Sequence, residues 1–171
     1  TRISSETDTK IEEYTVNKNA ELTEVLIIKE YEKSENEVST EHKTTKYVYG
    51  SGLIGQYNSD ETYLIYHYNN IGSTTKVTNI SGDIVYSYTY GTYGELLSGE
   101  TDAIKFLYNG QYGVMTDANG LYYMRARYYN PDIKRFINQD VVVGNILNSQ
   151  SLNRYCYVQG NPISLIDPFG L

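Results

Sequence analysis

The chain has 171 residues, with 20 tyrosines, 14 glycines, 3 prolines, one cysteine, no tryptophan and a formal net charge of −7 at pH 7. That length is one compact domain or a piece of a larger protein at ~100 to 200 residues per domain, and no apolar run approaches the ~18 residues of a membrane-spanning helix. The acidic balance, with lysines and arginines dispersed, excludes the electrostatic footprint of a nucleic-acid binder, and a lone Cys156 excludes an internal disulfide framework.

The stretch from Thr1 to Tyr14 is polar and charged, unlike a secretory leader, and starts as a piece of a longer polypeptide would. Residues Glu21 to Val38 carry both a helical stripe (Leu22, Val25, Leu26, Lys29) and a β-branched run from Val25 to Tyr31; the strand is favoured. Thr45 to Tyr49 and Ile54 to Tyr57 flank Gly50-Ser51-Gly52 as a hairpin. Lys76 to Ile80 and the alternating stretch Ile84 to Tyr90 form another across Ser81-Gly82-Asp83. The turn Asp117-Ala118-Asn119-Gly120 leads into a single strand from Leu121 to Tyr129. Leu152, Tyr155 and Cys156 have i, i+3, i+4 spacing, which predicts a helix of about two turns with Ser149 or Ser151 as N-cap and Gly160 as its stop.

Tyrosine clusters recur beside glycines, in KYVYG, YLIYHY, IVYSYTYGTYG, FLYNGQYG and LYYMRARYY, at roughly 20-residue intervals. A repeated hairpin is the natural unit. Tyrosine suits a curved sheet in which the ring covers a neighbouring strand and the hydroxyl stays wet.

Four segments carry a resemblance to a known family: TKYVYGSGLIGQYN (45–58), YHYNNIGSTTKVTNISGDIVYSYTYGTYGE (66–95), FLYNGQYG with DANGLYYMRARYYNP (106–131), and LNRYCYVQGNPISLIDPFGL (152–171). In this order they resemble the RHS or YD-repeat proteins and their C-terminal RHS-associated core. The resemblance implies a mainly β fold: antiparallel YD-repeat hairpins over 1–105 forming a curved sheet, part of a hollow β-shell, then a plug over 106–171 containing one short helix. It further implies that the plug closes the shell and self-cleaves after the DPxGL motif, here Asp167 to Leu171, releasing a C-terminal effector. A chain stopping on Leu171 is expected of a cleavage product, or of one designed to end there.

The resemblance places an aspartic-type site on Arg127 of RARYYNP, Asp140 of RFINQD and Asp167 of DPFGL. Two paired carboxylates supply a base for water and an acid for the departing amine. They titrate as a unit, so neither role is assigned from sequence. Arg127, on a strand face shared with Tyr123, Arg125 and Tyr129, would orient one carboxylate. The usual glycine before Arg135-Phe136 is Lys134, the usual proline after the first aspartate is Val141, and the 27 positions between the aspartates exceed the common spacing. On residue chemistry alone, Asp-Pro-Phe-Gly is also a good type I turn, Asp140 a turn cap and Arg127 half of a structural ion pair.

His67 and His42 read as structural and solvated, and Cys156 as a small core residue. No zinc spacing, phosphate loop or dinucleotide fingerprint is present, and no cofactor or metal is expected. The expected partners are the rest of the same shell and the effector, with edge strands able to pair with a second copy, and without nucleic acid or membrane insertion. The expected setting is a larger bacterial protein, secreted or on the cell surface. The rival reading is a non-enzymatic structural or carbohydrate-binding repeat module.

Overall fold

The computed structural model describes residues 2–7, 9–33, 41–144 and 149–171. The end of the Glu21–Val38 stretch and the middle of the Val141–Ser151 connection lie outside them.

Eight strands follow one another as a meander: β1 (Ser4–Glu6), β2 (Lys10–Asn17), β3 (Glu24–Glu32), β4 (Glu41–Gly50), β5 (Gly52–Asn58), β6 (Tyr63–Tyr68), β7 (Thr74–Thr78) and β8 (Ile84–Ser87). Each pairs antiparallel with the next, so the sheet stays open, with β1 and β8 at its edges. The strand favoured over 24–32 is present, and both glycine-marked hairpins form. The stretch Ile84 to Tyr90 is broken, however. Tyr88 is 2% exposed, and Thr89 turns away to join β9 (Thr89–Tyr90), which pairs with β10 (Leu96–Ser98). A four-stranded antiparallel sheet follows, from β11 (Met115–Thr116), β12 (Tyr122–Met124), β13 (Arg127–Asn130) and β14 (Arg135–Phe136).

Period-two alternation gives the meander one buried face, where Tyr14, Ile28, Tyr47, Leu53, Tyr66 and Val77 pack on Ile104, Phe106 and Leu107. Phe106 meets the Tyr47 ring edge-on at 4.9 Å. A second cluster gathers Tyr108, Val114, Tyr122, Met124, Tyr129, Phe136 and Tyr157. Three of its phenols correct the expectation of wet hydroxyls. Tyr122 donates to the Gly94 carbonyl at 2.6 Å, Tyr129 to that of Tyr93 at 2.8 Å, and Tyr157 to Asn109 Oδ1 at 2.8 Å. Such bonds let a phenol be buried without an orphaned polar group.

Two further expectations change. Leu121 to Tyr129 is a hairpin, with Met124 opposite Arg127 and only Arg125-Ala126 between them. Arg127 therefore shares its face with Tyr122, Met124 and Tyr129, while Tyr123 pairs with Tyr128 on the other. The two-turn helix over Leu152–Gly160 is replaced by 3-10 turns at Ser149–Leu152 and Val158–Gly160. Between them the Asn153 side chain accepts the Tyr155 amide, Cys156 bridges to Arg135, and Val158 and Gln159 have positive φ, so no helical ladder runs through. Lys134, where the resemblance has glycine, takes φ 59, a conformation glycine adopts freely.

Candidate active site

The hairpin β12–β13, the end of β14 and the C-terminal segment enclose one buried guanidinium. Arg127 is 6% exposed. Its Nη2 lies 3.0 Å from Asp140 Oδ2 and 3.5 Å from Asp167 Oδ2, so one nitrogen serves both carboxylates. Its Nε donates to the Gly170 carbonyl at 2.7 Å and its Nη1 to that of Arg154 at 3.1 Å. The Phe136 ring lies beneath it, 3.6 Å from Cζ to centroid, a stack that holds a planar cation in place.

Each aspartate is fixed by short-range bonds. Asp140 Oδ1 accepts the Val142 amide at 2.7 Å, its own amide donates to the Arg154 carbonyl at 2.9 Å, and the Arg154 guanidinium donates to its carbonyl. Asp167 Oδ1 accepts the amides of Gly170 at 2.8 Å and Leu171 at 3.1 Å. The Gly170 amide also faces the Asp167 carbonyl at 3.4 Å, which closes the Asp-Pro-Phe-Gly turn. Thus the turn, the cap and the shared arginine all coexist.

Burial pushes the Asp167 carboxyl above the usual carboxylate range, and Asp140 adds to this, against the two amides and Arg127. Burial also lowers Arg127, against the attraction of both aspartates. With both carboxylates ionised the trio carries one net negative charge, and a single shared proton neutralises it. The arrangement suits acid-base work on a nearby amide.

The structure thus brings Arg127, Asp140 and Asp167 together, across connections whose path the sequence does not give. Sequence reasoning missed Phe136, Arg154, Gly170 and Arg125. The available signal was the charge pair Arg125-Ala126-Arg127 inside a tyrosine-rich strand pattern. His67 is bonded to Thr78 Oγ1 at 2.9 Å, and His42 lies 3.7 Å from Glu32, both near the surface. Among the described residues no group of three His, Cys, Asp or Glu side chains is placed to hold a metal ion.

Fold and site together define an antiparallel β protein with a buried two-carboxylate, one-arginine centre. The chain is 35% identical over 141 residues to the tRNA3(Ser)-specific nuclease WapA of Bacillus spizizenii, a match covering 78% of this chain and 6% of that protein. It is 32% identical over 113 residues to the double-stranded DNA deaminase toxin A of Burkholderia cenocepacia, covering 62% of this chain and 7% of that protein. It superposes on a chain of the Photorhabdus luminescens Tc holotoxin pore, with TccC3, at a TM-score of 0.72 and 22% identity, over 95% of this chain and 8% of that one. No family model matches. The chain spans less than a tenth of the length of these proteins; its sequence is similar to a segment of RHS-type toxins, and the superposition shows a shared fold.

Proposed function

We propose that this chain is the RHS-associated core of a toxin-enclosing β-shell, in which 1–105 is a strip of the wall and 106–171 a plug that cuts its own chain after Leu171. One observation carries this reading: Asp140 and Asp167 meet on one nitrogen of Arg127, while the Leu171 amide rests on Asp167. One carboxylate takes a proton from water as its oxygen attacks the Leu171 carbonyl carbon. The protonated partner gives its proton to the departing nitrogen as the carbon–nitrogen bond breaks. Arg127 stabilises the ionised member and fixes the spacing of the two. Because the substrate is delivered within the chain, effective molarities of ~10⁵ to 10⁸ M are accessible, and modest acid-base groups suffice for one turnover.

The open edges β1 and β8 would take neighbouring strands of the same shell, or of a second copy. The partners are then the rest of the shell and the released effector, in a protein that is secreted or on the cell surface. Nuclease or deaminase activities of the kind named for the relatives would lie outside this acidic segment.

The test is intact mass on the chain extended by ~50 residues past Leu171, beside Asp140→Asn and Asp167→Asn, with rates expected to fall at least ~100-fold in each variant, the order of a lost acid-base group. A folded parent that stays uncut would favour the scaffold reading.

A further inference from the structure

Arg125 sits where turn chemistry would not put it. It is the first of two residues joining β12 to β13 and has φ 54, a position that two-residue hairpins give to glycine, asparagine or aspartate. Its side chain is half-buried, and burial lowers its pKa. Among the described residues it has no paired carboxylate. Instead it donates to three backbone carbonyls from three parts of the chain: Pro168 at 2.5 Å, Tyr112 at 2.8 Å and Thr23 at 2.9 Å. Gly113 leaves the space, since a Cβ there would come within 2.8 Å of Nη2. A strained backbone and an unneutralised cation both work against the isolated fold, and outliers of this kind point to function.

The neighbouring contacts show what the strain holds. Arg125 takes the Pro168 carbonyl, the Ala126 amide takes that of Phe169 at 3.1 Å, and Arg127 Nε takes that of Gly170 at 2.7 Å. Three consecutive residues, the two of the turn and the first of β13, thus hold three consecutive carbonyls, and the next carbonyl in the series is that of Leu171. We propose that Arg125 is a positioning residue for self-cleavage, anchoring the first carbonyl of this run and so setting the peptide that leads to the cut. The inference rests on the cleavage reading. It also makes positioning depend on docking of the β2–β3 connection, because Thr23 shares the same guanidinium.

Arg125→Gly separates the two roles of this residue, since glycine suits φ 54 better than arginine while the clamp is lost. In the extended chain, Arg125→Gly should cut at least ~30-fold more slowly than the parent, because misplacement by about 1 Å costs on the order of 10²-fold. Millimolar ethylguanidinium should restore part of that rate, and Arg125→Lys should be intermediate. In the chain ending at Leu171, the amides of Gly170 and Leu171 should exchange hydrogen at least ~10-fold faster in Arg125→Gly, with Val77 and Tyr129 protected as in the parent. If Arg125→Gly does not fold, Arg125→Lys carries both comparisons. A folded variant with parental cleavage and parental exchange at Gly170 and Leu171 overturns the proposal. An uncut parent would sink the cleavage reading by itself, and the exchange comparison would still decide the clamp.

Discussion

Asp167 divides its two oxygens between different tasks. Oδ1 holds the backbone of Gly170 and Leu171, and Oδ2 faces Arg127 beside Asp140. Burial pushes its pKa above the ordinary carboxylate value, so the folded chain binds this proton more tightly than the unfolded chain. The stability that this group contributes is then fully present below the ordinary value and is lost as pH rises through the raised one. Asp167→Asn removes the titration while an amide oxygen can still accept the two backbone amides. Denaturant titrations should therefore show the variant gaining on the parent as pH rises from the ordinary carboxylate value through the raised one, with the gain disappearing well below the ordinary value, where the parent group is neutral in both states. A variant that loses stability at pH 7 relative to pH 3 would mean that attraction to Arg127 outweighs burial at this carboxyl.

Elements marked by local chemistry were legible before the structure. Gly50-Ser51-Gly52, Ser81-Gly82-Asp83 and Asn119-Gly120 each announce a turn and antiparallel strands pair across each, although the strands expected over Ile84–Tyr90 and Leu121–Tyr129 end early, at Ser87 and Met124. The turn at Arg125-Ala126 was not legible, because neither residue type signals one. It is held from outside by the carbonyls of Pro168 and Phe169, which no local pattern encodes. The i, i+3, i+4 spacing at Leu152 misled for a similar reason, since Cys156 is drawn to Arg135 instead of a helical partner. The grouping of Arg127, Asp140 and Asp167 was legible only through the motif resemblance, and the C-terminal segment is held close against the hairpin. Gly170 has φ 71, and a Cβ there would collide with the Met124 carbonyl and lie 3.0 Å from the Arg127 amide. Gly170→Ala should therefore lift the segment off the hairpin, with at least about 2 kcal/mol lost locally from the left-handed conformation and the collision. In the extended chain cleavage should drop by more than ~10-fold, while the near-ultraviolet dichroism of the tyrosine cluster stays parental. Unimpaired cleavage would mean that the Asp167–Leu171 segment works without this docking.

Over the whole molecule, both ends of the described chain converge on the β12–β13 hairpin, one on each face. The C-terminal segment takes the side of Arg127. Arg2, just before β1, takes the side of Tyr123 and Tyr128, with its guanidinium 4.5 Å from the centre of the Tyr123 ring and 5.7 Å from that of Tyr128. Two of its nitrogens meet the two oxygens of Asp117, each at 2.8 Å, and its amide donates to the Tyr123 hydroxyl at 3.1 Å. The side chains of this pair are 10% and 24% exposed, so the pair is screened less than a surface bridge. A bidentate fork stacked on an aromatic ring is a task that lysine does not reproduce. Removing Arg2 leaves Asp117 unpaired and uncovers the ring, so Arg2→Ala should cost about 2–3 kcal/mol, less than the ~3–5 kcal/mol of a fully buried pair. For a chain of this length that corresponds to a melting temperature lower by about 5–10 °C. Arg2→Lys should recover less than half of the loss. A double-mutant cycle with Asp117→Ala should return a coupling of at least about 1 kcal/mol, which assigns the loss to the pair and not to fraying of β1. Additive losses would show instead that the edge strand β1 is tied to the rest of the protein by its β2 pairing and the Glu6–Lys33 ion pair, with Arg2 only resting on the tyrosines.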